Sequence, residues 1–220
     1  MIFIIIFLIG LIVVINALYF ILPSLSPIPF FPTNKKDLPM IVETLLNNVN
    51  KVTKSADDHF ERLWEIPTKS GRVPTEAKNV SSSATIIDLG AGTGTVLFAA
   101  AQEAYKKKLD LKFIAIDIHP LLITILFIKS FFHPNKKNIV IIRGDIFRMN
   151  YQELLLKYRQ NITIYLYVGP FVMDRIKEKL NEFTFPTRVV SYMYKIPGWG
   201  KKLADEKHGV HDLFTYIIDK

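Results

Sequence analysis

Three glycines at alternate positions, Gly90, Gly92 and Gly94, follow an aspartate, Asp88, by two residues. That spacing can do chemistry. Glycine takes positive φ without penalty and leaves room where a Cβ would clash. Before the glycines runs Thr85-Ile86-Ile87, and after them Val96-Leu97-Phe98-Ala99-Ala100-Ala101 begins a helical pattern. Strand, tight turn and helix together present backbone N–H groups and a helix N-terminus to a ligand. A dinucleotide fingerprint, G-x-G-x-x-G, would put its third glycine one residue later, where this chain has Thr95. Asp88 would also repel a pyrophosphate, whereas its carboxylate suits a ligand carrying an ammonium group. A nicotinamide-dependent oxidoreductase is thereby disfavoured.

Two more acids end the strands that follow. Asp117 closes Phe113-Ile114-Ala115-Ile116-Asp117, and Asp145 follows Ile139–Arg143. Ligands of open α/β sheets bind at the carboxyl ends of strands, near the point where strand order reverses. An acid after the second strand can accept both hydroxyls of a ribose, or it can cap the helix that starts near Pro120. Asp145 has the same alternative, as a turn or cap residue.

The elements that must position these groups alternate. Strands are predicted at Thr85–Leu89, Leu111–Asp117, Ile139–Arg143, Ile162–Val168 and Arg188–Met193. Helices are predicted at Thr95–Lys107, Leu121–Phe132, Tyr151–Tyr158 and Phe171–Asn181. Such alternation, with apolar β-rich runs, implies an α/β fold: a mostly parallel twisted sheet covered by helices on both faces. The tail carries one more strand, Asp212–Ile218, able to pair at the sheet edge. Upstream, Asn34 or Asp37 is a candidate cap for a helix over Leu38–Asn48.

The glycine turn resembles motif I of the class I S-adenosylmethionine methyltransferases, D-x-G-x-G-x-G. Further stretches resemble the small membrane-anchored protein-lysine methyltransferases that modify the adenine nucleotide translocase and the ATP synthase c subunit. These are Pro29-Phe30-Phe31-Pro32-Thr33, the acid-x-x-Pro of Asp117–Pro120, Asp145-Ile146-Phe147-Arg148, Arg188-Val189-Val190-Ser191, Pro197-Gly198-Trp199 and Gly209–Tyr216. The resemblance implies a Rossmann-like methyltransferase domain with S-adenosylmethionine as cofactor. It places that cofactor against Asp88, Leu89, Gly90, Ala91, Gly92, Thr93, Gly94, Asp117, Ile118, Asp145 and Ile146. Asp145 would then meet the adenine amino group while its apolar neighbour packs on the ring. Tyr167, Gly169 and Pro170, after the fourth strand, stand where the methyl group would point. The chain departs from the usual family pattern at Ala91, Thr93, Thr95, Asp117 and His119, and it has Met193 near the place of a basic residue.

Length and composition bound the rest. The 220 residues allow one domain plus appendages, read here as 1–22, 23–83 and 84–220. Absence of cysteine excludes a disulfide framework, a thiolate nucleophile and Cys-ligated zinc. His208 and His211 lack a third clustered ligand in sequence, so no metal is expected. The net charge of +8 is scattered, without an arginine-rich run, and nucleic acid is not expected as a partner. Apolar Leu121–Phe132 is too short to span a bilayer and reads as a buried helix, with membrane contact as the alternative.

Met1–Leu22 contains no charged residue. As a helix it would be about 33 Å long, against a hydrocarbon core of ~30 Å. It lacks the basic n-region of a signal peptide, so a retained single-pass anchor is expected. Lys35 and Lys36 follow it and place the catalytic domain on the cytoplasmic side. Pro23–Thr33 reads as a stiff connector, and Asn50–Ser83 as a polar insertion with a short helix near Asp57–Trp64. The methyl acceptor expected from the resemblance is a lysine of a membrane protein. A small or lipid-like acceptor such as a quinone precursor, or a non-catalytic module binding the same ligand, stays open.

Overall fold

A computed structural model of the chain describes residues 2–21, 32–47, 84–151, 153–154, 161–183 and 186–218. The connector up to residue 31, the 50–83 insertion and most of the expected helix Tyr151–Tyr158 lie outside these residues. Helix α1 runs Ile2–Ile21 and α2 Leu38–Asn47. Then come β1 Ala84–Leu89, α3 Thr95–Lys106, β2 Leu111–Asp117, α4 Pro120–Phe132, β3 Ile139–Arg143, β4 Ile162–Leu166, α5 Met173–Asn181, β5 Thr187–Tyr192, β6 Leu203–His208 and β7 Asp212–Ile218.

The seven strands form one sheet in the order β3-β2-β1-β4-β5-β7-β6. β1 pairs in parallel with both β2 and β4, so the order reverses beside it. Every residue of β1, β4 and β5 is buried. A strand covered on both faces has no solvent side, so none of these segments shows an apolar–polar alternation, and the polar residues they carry, such as Asp88 and Arg188, are buried as well.

Two apolar layers cover the sheet. On one face Ile41, Leu45 and Leu46 of α2 pack with Ala100, Ala101 and Ala104 of α3, joined by Ile123 and Leu126 of α4. The alanines bring α3 close to the strands because they project little beyond the helix backbone. On the other face Met173, Ile176 and Leu180 of α5 pack with Phe147, Tyr151, Phe183 and Trp199. Met173, Ile176 and Leu180 fall at helical spacing on one stripe, as expected of a helix with one buried side.

The tail differs from expectation. β7 does not lie at the edge: it pairs antiparallel with β5 on one side and β6 on the other. The edge belongs to β6, whose sequence Leu203-Ala204-Asp205-Glu206-Lys207-His208 is too polar to show strand periodicity. Charged residues and an irregularity between Leu203 and Asp205 suit an edge strand, since they oppose pairing with another chain.

α1 is a 20-residue helix. Its side chains are described over residues 3–14, all exposed. Among the described residues no helix is long and apolar enough to cross a membrane. The expected span Met1–Leu22 is therefore not established by these residues.

Candidate cofactor and active site

The carboxyl ends of β1, β2, β3 and β4 meet where strand order reverses, and the expected site residues gather there. Gly90, Gly92 and Gly94 all take positive φ, at 77°, 57° and 74°. Gly90 and Ala91 donate backbone N–H groups to the carbonyl of Ile116, each at 2.9 Å, which folds the loop over the end of β2. Gly94 occupies the N-cap position of α3 and supplies no capping side chain. The N–H groups of the first helical turn therefore have no side-chain acceptor at the cap.

The glycines serve different ends. A Cβ at Gly94 would lie 2.6 Å from Leu126 and Phe98, so the fold itself fills that space. A Cβ at Gly90 would meet nothing within 4 Å. The open side of the loop is thus at Gly90, next to Asp88.

Asp88 and Asp117 face this loop from neighbouring strands, and both are buried. Burial, reinforced by the negative charge of Asp117, pushes the Asp88 carboxyl up to about 8. Asp117 is also raised by burial, against the pull of N–H groups from His119 and Gly92. Oδ2 of Asp117 accepts from the Gly92 N–H at 2.8 Å, and Oδ1 accepts from the His119 N–H at 2.9 Å. Each oxygen keeps a second lone pair, so both can still accept a hydroxyl. The helix cap is a different residue: His119 Nδ1 accepts from the Leu121 N–H at 3.2 Å.

The third loop joins the second through the Gly144 N–H, which donates to the Asp117 carbonyl at 2.9 Å. Asp145 behaves as a turn residue, with Oδ1 accepting from the Phe147 N–H at 2.9 Å and Oδ2 lying 3.4 Å from Arg148. Ile146 does not present its side chain for ring stacking, because that side chain is buried in the core beneath the loop. Leu89 is buried in the same layer, so both can serve a ligand only through backbone. Ile118 is half-buried, and its carbonyl accepts from Arg143 Nε at 3.5 Å.

Tyr167, Gly169 and Pro170 follow β4. The ring of Tyr167 stands edge-on to Tyr192, with centroids 4.9 Å apart, and its hydroxyl lies 3.7 Å from Met193 Sδ. Met193 holds a positive φ of 74°, an uncommon conformation for a side chain of that size. Pro170 opens a 3₁₀ turn, Pro170–Val172. A Cβ at Gly169 would strike the ring of Phe171. Tyr165 pairs in register with Asp88, and its buried hydroxyl is pushed well above its ordinary range by burial and by Asp88.

Two residues near the site were not legible beforehand. Lys129 Nζ donates to the Thr93 carbonyl at 2.8 Å, bracing the glycine loop from α4. Its only signal in sequence is that it is the one charge in an apolar helix. Asp37 does not cap α2 with its carboxylate. It reaches instead to Tyr192, Val210 and His211 at the far end of β5. His211 is thereby drawn away from His208, which pairs with Asp212 at 2.8 Å on the exposed strand β6 beside Glu206.

These residues fit S-adenosylmethionine. The ammonium group suits Asp88, the ribose hydroxyls suit Asp117, and the open side of Gly90 leaves room for a ligand backbone.

A curated protein-lysine N-methyltransferase of Saccharolobus islandicus (strain REY15A) is 28% identical over 156 residues, which is 69% of this chain and 90% of that protein. The crystal structure of an RNA methyltransferase from Salinibacter ruber with S-adenosyl-L-homocysteine superposes with a TM-score of 0.55 at 18% identity. It covers 86% of this chain and 94% of that one, and it shows the shared fold. The family model described as the ANTKMT methyltransferase domain matches residues 88–203, just over half the chain. With that match the chain belongs to the ANTKMT methyltransferase domain family and is an S-adenosylmethionine-dependent methyltransferase.

Proposed function

We propose that the enzyme methylates a lysine side chain of a membrane protein and is held at the membrane by α1. The observation that carries the catalytic part is the convergence of Asp88, the three-glycine loop and Asp117 at the reversal point of the sheet. The lysine acceptor is supported by the Saccharolobus islandicus protein-lysine N-methyltransferase, nearly all of which this chain covers.

Bound at this loop, the cofactor supplies an electrophilic methyl group on a sulfonium. An acceptor nitrogen held in line with that methyl group would take it with its lone pair, the sulfonium would leave as a neutral thioether, and the methylated ammonium would release one of its own N–H protons to solvent. Such an in-line displacement needs alignment above all, and orientation can lower the barrier by ~7–11 kcal/mol. Alignment is what this chain provides. The glycine loop and Asp117 fix the ribose end, Asp88 fixes the ammonium end, and Tyr167 with Pro170 borders the methyl side. An incoming lysine must be neutral, and the aromatic surroundings of half-buried Tyr167, backed by the buried ring of Tyr192, favour the deprotonated amine.

The anchor rests on α1 as a 20-residue helix without a charged residue. In sequence the whole uncharged run Met1–Leu22 would make a helix of about 33 Å at ~1.5 Å per residue, against a hydrocarbon core of ~30 Å. Lys35 and Lys36 after it favour a catalytic domain on the cytoplasmic side. A tethered enzyme meets a membrane-bound target at raised effective concentration without any new contact.

Incubating the full chain with radiolabelled S-adenosylmethionine and solubilised source membranes tests this, with Asp88→Ala as control. Label entering one protein band, lost in the control, is the expected result, and mass spectrometry then finds the lysine. Label confined to the organic extract would move the reading to a lipid or quinone-like acceptor.

A further inference from the structure

Helix α4 has two unlike faces. Leu122, Ile123 and Leu126 are buried against the sheet. Phe127, Ile128, Phe131 and Phe132 lie on the outside and are exposed by 56%, 56%, 68% and 78%. Positions 127, 128, 131 and 132 share one side of a helix, so four large apolar groups form one patch. A folded chain gains nothing by showing three phenylalanines to water, and exposed patches of this kind mark a surface that something covers.

Charge says what covers it. Between Ile118 and Gly144 there is no acidic residue, while Lys129, Lys136, Lys137 and Arg143 are basic. Lys136 and Lys137 stand exposed in the turn just past the patch, and Lys136 Nζ lies 5.3 Å from the centre of the Phe131 ring. An apolar helix face bordered by lysines is the pattern of a segment lying in the interfacial plane of an anionic bilayer. A helix of 13 residues cannot span one. The patch also continues inward: Ile128 and Phe132 border an open groove of about 510 Å³ that reaches Phe98, Thr95 and Gly94 at the glycine loop.

We propose that this face of α4 docks on an anionic lipid surface, with the phenylalanines in the acyl boundary and Lys136 and Lys137 at the headgroups. The contact is separate from α1 and does not depend on it. It turns the domain so that the glycine-loop side of the sheet, next to α4, sits beside the bilayer.

The chain has no cysteine, so one can be placed at will. The full chain carrying Phe131→Cys, labelled with an environment-sensitive dye, is reconstituted into phosphatidylcholine vesicles with and without phosphatidylglycerol. Val210→Cys, in the turn between β6 and β7 across the sheet, is the control. The expected result is a blue shift and quenching by brominated lipid at position 131, stronger with phosphatidylglycerol and absent at position 210. Lys136→Gln with Lys137→Gln is expected to remove the dependence on phosphatidylglycerol. No shift at 131 in a chain that still sediments with vesicles would overturn the proposal while leaving the α1 anchor intact. A shift equal in neutral vesicles would overturn the role of headgroup charge. A shift that follows protein density rather than lipid charge would assign the face to a second copy and overturn it as well.

Discussion

The Tyr192 hydroxyl donates to Oδ2 of Asp37 at 2.7 Å, joining residues 155 positions apart. The same carboxylate accepts the N–H of Val210 at 2.7 Å and of His211 at 3.0 Å. At its other end α2 offers the Thr44 carbonyl to Arg188, at 2.7 Å. The helix is thus clasped along β5, from its last residue, Tyr192, to near its first, and Tyr192 in turn meets the ring of Tyr167 edge-on at 4.9 Å.

Breaking the clasp is expected to loosen both fold and mouth. Hydrogen bonds to a charged group are worth about 1.5–3 kcal/mol each, so Asp37→Ala should cost ~3 kcal/mol or more. Tyr192→Phe removes one donor from a buried carboxylate and should cost ~1–3 kcal/mol. Denaturant unfolding measures both. If Tyr192 positions Tyr167, Tyr192→Phe also lowers kcat for the acceptor while the affinity for S-adenosylmethionine stays unchanged.

Acid should open the same clasp. Burial pushes the Asp37 carboxyl up, but hydrogen bonds from Tyr192, Val210 and His211 outweigh it and leave the pKa below 3.8. A lowered folded value means stability present above 3.8 and lost as pH falls through the folded pKa. Asp37→Asn should therefore flatten the acid limb of the stability curve below 3.8, measured by thermal melts against pH.

Asp88 has the opposite sign. Its folded pKa of about 8 stands above the ordinary 3.8. Its contribution is complete below 3.8 and is lost as pH rises through about 8, over which ligand-free stability should fall by on the order of a few kcal/mol. Asp88→Asn should remove that slope. A cationic ligand group favours the ionised carboxylate, so cofactor affinity should rise with pH up to about 8. Calorimetry in buffers of different ionisation enthalpy should detect a proton released on binding.

Two glycine substitutions separate folding from binding. Gly94→Ala combines a φ of 74° with contacts of 2.6 Å to Leu126 and Phe98. It should destabilise the chain by more than ~2 kcal/mol. Gly90→Ala meets nothing within 4 Å and bears only the cost of its positive φ, about 1–2 kcal/mol. It should fold and yet lose cofactor affinity, because the new methyl group points into the space left for the ligand.

Asp117→Asn tests the ribose contact. Replacing a charged acceptor of two hydroxyls should cost ~1.5–3 kcal/mol, or roughly 10–100-fold in affinity. Calorimetry with S-adenosyl-L-homocysteine measures it directly.

Much of this was legible in the residues. β2, β3 and β7 run where the apolar pattern put them, at Leu111–Asp117, Ile139–Arg143 and Asp212–Ile218. The Asp88 and glycine spacing names its ligand class because its chemistry is local. Each glycine answers to its own φ, and each acid ends its own strand. β6 is not legible in the sequence because Asp205, Glu206, Lys207 and His208 carry no apolar alternation, and only pairing with β7 makes them a strand.

Residue order alone determined the glycine turn, the acids at strand ends and the layered α/β plan, since all follow from short-range periodicity and turn chemistry. Tertiary structure alone decided that Asp37 serves Tyr192 and the β6–β7 turn rather than its own helix, and that Lys129 braces Thr93. It also decided that Ile146 sinks into the core and that half of α4 stays bare. Each of these depends on what a distant segment offers within a few ångströms, and a hydrogen bond or a buried face leaves no periodic trace in the chain that makes it.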